Sequence, residues 1–291
     1  MIPTEPVLEF TGERFTPECV REIWYEHMHR YALAARLAAG RRVLDAACGE
    51  GYGSALLHAA GAAEVVGVDL SAATVEHARR RYRARAGLRF EQGDVTALGT
   101  ACPGPFELIV SFETLEHVER QEAMLDGFRE RLARDGVLLV STPDRKVYSE
   151  ASGQANPFHV RELYREEFEQ MLRARFPAVR LFGQKLLFQS VLWEPGRDGP
   201  WAASTHGGGD GLGYAPVYWI AACALTPEPL AALPTLHLFG DAEESVYRHY
   251  DHEVRQNIRA GHRILELEAQ LAELQRRLDG AQPPPDPKEQ G

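Results

Sequence analysis

Short runs of apolar, β-branched residues recur along the first half of the chain: Arg42–Cys48, Glu64–Leu70, Leu88–Val95, Phe106–Glu113 and Gly136–Pro143. Between them the apolar positions fall at helical spacing, as in Ala72–Ala84 and Gln121–Ala133. A strand period that keeps giving way to a helix period predicts βαβ units, because parallel strands need a crossover long enough to hold a helix. The expected fold is α/β, a mostly parallel sheet covered by helices on both faces. Right-handed crossovers then leave a ligand crevice at the carboxyl ends of the strands. Two further strand candidates follow, Ala178–Phe188 and Val217–Leu225.

Outside this core the pattern changes. Val20–Ala39 reads as one or two helices. Pro195–Pro216 is rich in glycine and has no hydrophobic period, which predicts a long loop or lid. Ser245–Leu278 reads as one long helix. In it Ile264, Leu267, Leu271, Leu274 and Leu278 alternate spacings of three and four, the seam of a coiled coil. Asn257 takes a core position in the same frame. The frame weakens at Glu253, and Gly261 lies inside the helix, so a terminal helix packed on its own domain is the alternative. From Ala281 to Gly291 the chain is Pro-rich and charged, a composition that predicts disorder. The expected division is a helical lid or substrate segment over 1–40, a core over 41–230, the helix over 245–279 and a tail over 280–291.

The chain has 291 residues, 44% of them hydrophobic, enough for one substantial core. Its formal net charge of −10 argues against DNA and against a broad polyanion-binding face, because affinity for nucleic acid comes largely from Lys and Arg on phosphates. Arg79, Arg80, Arg81, Arg83 and Arg85 form a local basic run, the usual pattern of a solvated helix face. No apolar run approaches the ~20 residues of a membrane helix, so no span is expected. MIPTEPVLEFTGERF has neither the basic nor the apolar region of a secretory signal. Cys19, Cys48, Cys102 and Cys223 are scattered without a C-x-x-C pair, which disfavours a cysteine zinc site and suits a reduced, cytoplasmic chain.

The densest motif is Val43-Leu44-Asp45-Ala46-Ala47-Cys48-Gly49-Glu50-Gly51-Tyr52-Gly53-Ser54, at the end of the first strand and the start of a helix. Glycines there let the backbone turn sharply and approach a ligand. The second strand ends in Asp69-Leu70, where a carboxylate can accept from both ribose hydroxyls of a nucleoside. The third ends in Asp94-Val95, where a carboxylate can accept from an adenine amino group. The fourth ends Ser111-Phe112-Glu113. A dinucleotide site is the competing reading, but its fingerprint is G-x-G-x-x-G, whereas the spacing from Gly49 is G-x-G-x-G with Ser54 in place of the third glycine. Acidic Asp45 and Glu50 also suit a sulfonium ligand better than a pyrophosphate.

Over roughly residues 40 to 225 this set resembles class I methyltransferases. The resemblance implies a Rossmann-like, seven-stranded, mostly parallel sheet with an antiparallel last strand, and S-adenosylmethionine as cofactor. It implies that Asp45 and the backbone from Ala47 through Gly49 to Gly51, with Tyr52 beside it, hold the amino-acid part. Asp69 and Leu70 would take the ribose end, Asp94 and Val95 the adenine, and Ser111 and Phe112 the sulfonium. Arg30 is a candidate partner for the cofactor carboxylate.

Glu113-Thr114-Leu115-Glu116-His117 puts three possible metal ligands within five positions, and on a helical turn Glu113 shares a face with Glu116 or His117. His159 follows at the same edge of the sheet. This Glu-x-x-Glu-His…His pattern is similar to that of small-RNA 3′-terminal 2′-O-methyltransferases and of ubiquinone-pathway O-methyltransferases. In the former, these side chains hold a divalent cation that chelates two neighbouring hydroxyls. Carried over, the ligands are Glu113, Glu116, His117 and His159, a donor set suited to Mg²⁺, Mn²⁺, Fe²⁺ or Co²⁺, with nitrogen ligands making Mg²⁺ alone less natural. The same motif also occurs in methyltransferases without metal. There the catalytic candidates are His117 as general base and Glu113 as a helix-start carboxylate.

Thr11-Gly12-Glu13-Arg14-Phe15, Glu26-His27-Met28-His29-Arg30-Tyr31, the Asn156–Phe168 stretch and Val246-Tyr247-Arg248-His249-Tyr250 resemble methyltransferases of bacterial surface-polysaccharide assembly. That resemblance implies a sugar or glycan acceptor. His27 and Tyr31, four apart, are placed to face the cleft together. Trp193, Trp201 and Tyr214 are candidate stacking platforms for sugar rings. The expected activity is O-methylation of a glycan hydroxyl. The coiled coil would dimerise the chain or tether it to a glycan-assembly partner. Two alternatives stand beside it: an acceptor that is an RNA 3′ end or a small catechol, and an inactive methyltransferase-fold scaffold that works through its coiled coil.

Overall fold

The computed structural model describes residues 15–19, 22–83, 85–99, 102–192, 195, 202–205 and 209–281. They fall into two units, Met1–Phe239 and Gly240–Gly291. In the first unit, strands β1 (Arg42–Ala46), β2 (Glu64–Asp69), β3 (Leu88–Gln92), β4 (Phe106–Ser111), β5 (Leu132–Pro143), β6 (Ala178–Gln184) and β7 (Tyr218–Ala224) form one sheet. Its order is β3-β2-β1-β4-β5-β7-β6. β1 to β5 pair in parallel, and β7 runs antiparallel between β5 and β6. The expected seven-stranded sheet with its antiparallel last strand is therefore present.

Among the described residues five α-helices belong to this unit: α1 (Glu22–Ala35), α2 (Tyr52–Ala59), α3 (Ala72–Arg81), α4 (Gln121–Arg131) and α5 (Arg165–Arg173). Successive strand residues point to opposite faces of a sheet, so near-continuous apolar strands need two cores. Leu44, Val66, Ile109 and Leu138 pack with Met124 and Phe128 of α4 and Phe168 of α5 on one face. Val43, Val65, Leu108 and Val137 pack with Leu33 of α1 and Leu57 of α2 on the other. Ser71 starts α3 by accepting the Thr74 N–H at 3.3 Å, an N-cap that closes one otherwise open donor.

Most strands stop short of their hydrophobic runs. Cys48, Leu70, Val95, Glu113 and Phe188 lie in the loops beyond them. Cys48 and Val95 are nonetheless buried, so their apolar character reports packing at the sheet edge rather than strand pairing. Arg79, Arg80, Arg83 and Arg85 are exposed, as a solvated face predicts, and ion pairs hold parts of the run. Arg79 bridges Glu76 and Glu91, and Arg81 bridges Glu18 and Glu50. Residues 11–14, Trp193, Trp201 and the tail beyond residue 281 lie outside the described residues.

The second unit carries α6 (Ser245–Ala281), a single helix of 37 residues. Among the described residues no helix is long and apolar enough to cross a membrane.

Candidate functional site

The sheet order reverses between β1 and β4, and their carboxyl ends therefore open the crevice of the fold. Both ends carry a non-glycine residue in the left-handed region, Ala47 at φ 61° and Glu113 at φ 50°. Each costs on the order of 1 kcal/mol or more, and such residues concentrate at binding sites. Between them runs the glycine loop. Gly49, at φ 54°, faces open space: a side chain begun there meets no atom within 4 Å. Gly53 does the opposite, since a Cβ there would sit 2.0 Å from the Tyr31 ring. The loop is thus closed against α1 beneath and open above.

Asp69 fixes this loop from β2. Its carboxylate accepts the Gly49 N–H and the Ser71 N–H, each at 2.9 Å. Leu70, just past β2, is 69% exposed, an apolar surface unlike the strand before it. Asp94 accepts the Thr96 N–H and hydroxyl, both at 2.7 Å, and those bonds hold its carboxyl below the usual range. Val95 is buried.

Asp45 is 1% exposed and accepts from Ser54 Oγ at 2.6 Å and from the Tyr31 hydroxyl at 3.0 Å. Burial pushes its carboxyl up to about 6. Glu50, expected to favour the ligand, is turned the other way. It is buried against α3, where Arg81 Nη1 at 3.0 Å, His77 Nε2 at 3.2 Å and the Tyr82 hydroxyl at 2.9 Å surround it. A carboxylate so enclosed has three partners on α3 and its C-terminal end and belongs to the scaffold.

α1 is the inner wall. As the four-residue spacing predicts, His27 and Tyr31 face the same way. The His27 ring nitrogen Nδ1 lies 3.1 Å from the Tyr52 hydroxyl, and its ring stacks on Phe15. Arg30 is 2% exposed. Its Nε donates to Gln184 Oε1 at 2.8 Å, Nη2 lies 3.6 Å from Glu113 Oε1, and the guanidinium covers the Tyr218 ring at 4.5 Å. Its Nη1 is buried without a partner, as is Ser111 Oγ at the end of β4. Buried donors without partners are rare in native folds and mark places where a ligand or water completes the bonding. Phe112 meets Tyr31 edge-on at 5.1 Å.

Past β4 the expected helical turn shrinks to a 3-10 turn over Leu115–His117, and Glu113 stands outside it. Its left-handed backbone sends the side chain to Ser141 Oγ, which donates to it at 2.6 Å, and toward Arg30. Glu116, His117 and His159 converge instead, with one ligand atom of each within 4.8 Å of the others. The four expected ligands thus come together as three, and Glu113 is in a neighbouring network. Glu116 Oε2 is buried without a partner, and burial together with the Glu113 charge raises the Glu116 carboxyl well above its usual range. His117 Nδ1 lies 3.0 Å from the Phe158 carbonyl, which can only accept, so Nδ1 carries the proton and Nε2 the lone pair. His159 Nδ1 lies 2.6 Å from Glu162 Oε1, and its Nε2 accepts from Asn156 Nδ2 at 3.0 Å. An unpartnered buried carboxylate oxygen beside two imidazoles fits a divalent cation in both charge and donor type.

A cavity of about 840 Å³ opens on the other side of Arg30, between α1, β6, β7 and the loop after β5. Asp144, Lys146, Tyr164, Tyr214 and Trp219 line it. Asp144 accepts the Trp219 indole N–H at 2.8 Å. Sequence reasoning missed Gln184, Ser141, Glu162 and Tyr218. No local pattern marks Ser141, Gln184 and Tyr218, which meet Glu113 and Arg30 from distant parts of the chain, whereas Glu162 stands three residues after His159, a spacing that could have shown it.

Midway along α1, His29 Nε2 lies 3.1 Å from His237 Nδ1, and Phe239 stacks on the His29 ring. Burial and the neighbouring imidazole push His29 down to about 4. The unfolded chain therefore binds the proton first. Stability from this contact is full above about pH 6.5 and is lost as pH falls toward 4, by on the order of 3 kcal/mol. A His29→Phe variant is expected to show a shallower fall in Tm over that window. An equal slope would contradict the assignment.

The methyltransferase-domain family matches residues 20–176, more than half of the chain. A protein of Mycolicibacterium smegmatis named as a probable S-adenosylmethionine-dependent methyltransferase is 38% identical over 168 residues, 57% of this chain and 63% of that one. A ubiquinone biosynthesis O-methyltransferase of Psychrobacter arcticus is 34% identical over 114 residues, 38% of this chain and 44% of that one. The matches thus span less than two thirds of these relatives. Among solved structures, the YcgJ protein of Bacillus subtilis aligns with a TM-score of 0.49 at 20% identity, covering 68% of this chain and 99% of that one. With its sheet order, its glycine loop and this family match, the chain belongs to the class I S-adenosylmethionine-dependent methyltransferase family.

Proposed function

We propose that the chain is a metal-assisted O-methyltransferase that moves a methyl group from S-adenosylmethionine to one hydroxyl of a neighbouring pair on a sugar or glycan. The observation that carries this reading is the convergence of Glu116, His117 and His159 around a buried carboxylate oxygen with no partner. When bound, S-adenosylmethionine supplies an electrophilic methyl on sulfur and leaves as S-adenosylhomocysteine. Asp69 would accept from the ribose hydroxyls with the lone pairs its two backbone donors leave over, and exposed Leu70 would offer the nucleoside an apolar contact. Arg30 offers Nη1 to the carboxylate of the amino-acid part.

A divalent cation held by Glu116, His117 and His159 would favour the alkoxide and fix the diol in line. Glu162 and the Phe158 carbonyl orient the two imidazoles through Nδ1, and a cation at His159 Nε2 would displace the Asn156 amide that lies 3.0 Å from it. Tyr164, Tyr214 and Trp219 give the cavity beside Arg30 the aromatic walls that suit a sugar ring. The similarity to a ubiquinone biosynthesis O-methyltransferase favours a second reading, in which the diol is a catechol-like ring. In a metal-free route, His117 Nε2 takes the hydroxyl proton directly. Polysaccharide assembly in the cytoplasm is the setting we infer for the glycan reading.

The test is methyl transfer from radiolabelled S-adenosylmethionine to panels of glycans and catechols, with and without chelation. Transfer to a diol, lost with chelator and restored by Mn²⁺, Fe²⁺ or Co²⁺, supports the proposal. Transfer indifferent to chelation removes the metal and makes His117 the base.

A further inference from the structure

We infer that α6 pairs in parallel with α6 of a second copy of this chain. Its apolar stripe is unpartnered: Ile264 is 55% exposed, Leu267 47%, Leu271 57%, Leu274 60% and Leu278 67%. Side chains three and four apart share one helix face, so these five form a single seam. In heptad terms Asn257, Ile264, Leu271 and Leu278 are a positions, and Ala260, Leu267 and Leu274 are d positions.

The residues beside the seam choose the partner and its direction. Arg263 precedes Ile264 at a g position, and Glu268 follows Leu267 at an e position. In a parallel pair a g residue meets the e residue five places on in the other helix. A second copy therefore brings Glu268 to Arg263 and Arg263 to Glu268, two attractive contacts related by the twofold axis. Antiparallel pairing that keeps the seam buried sets g against g and e against e. Arg263 would then face Arg277, and Glu268 would face Glu268, both repulsive. Within its own helix Arg263 reaches Glu266, at 2.9 Å and with both side chains 61% exposed, a contact weak enough to give way. Asn257 adds to the argument, because only parallel pairing sets this polar a residue against itself, where two amides can bond across the seam.

The experiment is sedimentation equilibrium of the full chain up to about 100 µM, since association depends on protomer concentration. A dimer is expected. Leu271→Glu with Leu274→Glu should give a monomer whose S-adenosylmethionine binding is unchanged, which shows that the first unit is still folded. Arg263→Glu should weaken the dimer by about three- to tenfold, and adding Glu268→Arg should restore it. Asn257→Cys should give a covalent dimer on mild oxidation. A monomer at every concentration, or a dimer that survives the two leucine changes, overturns the inference. Strengthening by Arg263→Glu overturns the parallel direction, because that is the antiparallel result.

Discussion

Glu116→Gln is expected to lower kcat by about 100-fold or more while leaving S-adenosylmethionine affinity within about threefold. The side chain is 1% exposed, and its Oε2 has no partner. Gln keeps the shape and one carbonyl oxygen but loses the charge that a cation needs. Because burial and Glu113 already disfavour the ionised carboxyl, the neutral amide should fold as well as wild type without metal. Steady-state kinetics, calorimetric cofactor titration and Tm on one preparation separate these effects. Full activity in the variant would remove Glu116 from the reaction. Glu113→Gln serves as the contrast. Glu113 holds Arg30 and Ser141, so its loss should act first on cofactor affinity.

Asp69→Ala should weaken S-adenosylmethionine by on the order of 1–3 kcal/mol, about 5- to 150-fold. Two losses combine there. The ribose hydroxyls lose a charged acceptor, and the Gly49 and Ser71 N–H groups lose the oxygens that hold the loop to β2. Isothermal titration with S-adenosylhomocysteine measures the effect without turnover. Unchanged affinity would mean that the nucleoside sits elsewhere.

The strand segments and the glycine turn were legible because both depend on local chemistry. β-branched runs such as Val65–Val68 make strands, and glycines at 49, 51 and 53 make a turn that only small residues allow. The ligand set was legible only in part. Helical spacing puts Glu113 on the face of Glu116 only if the backbone is helical there. At φ 50° it is not, and Glu113 turns to Arg30 instead. Glu50 misled for a similar reason. Its loop position suggests an exposed acid, yet Arg81, His77 and Tyr82 reach it from residues about thirty positions later in the chain. The charge of Arg30 suggests a cofactor ligand, but its contacts with Gln184 and Glu113 join α1 to residues more than eighty positions away, which no short window of sequence contains.

The crevice at β1, β2 and β4 is expected to hold S-adenosylmethionine beside a cation site. The most direct measurement is the metal content of the purified chain, with calorimetric S-adenosylmethionine binding on the same sample before and after chelation. The account predicts one cofactor per chain in both states, together with a cation that chelation removes and that Glu116→Gln fails to take up. No cofactor binding in either state would contradict the account.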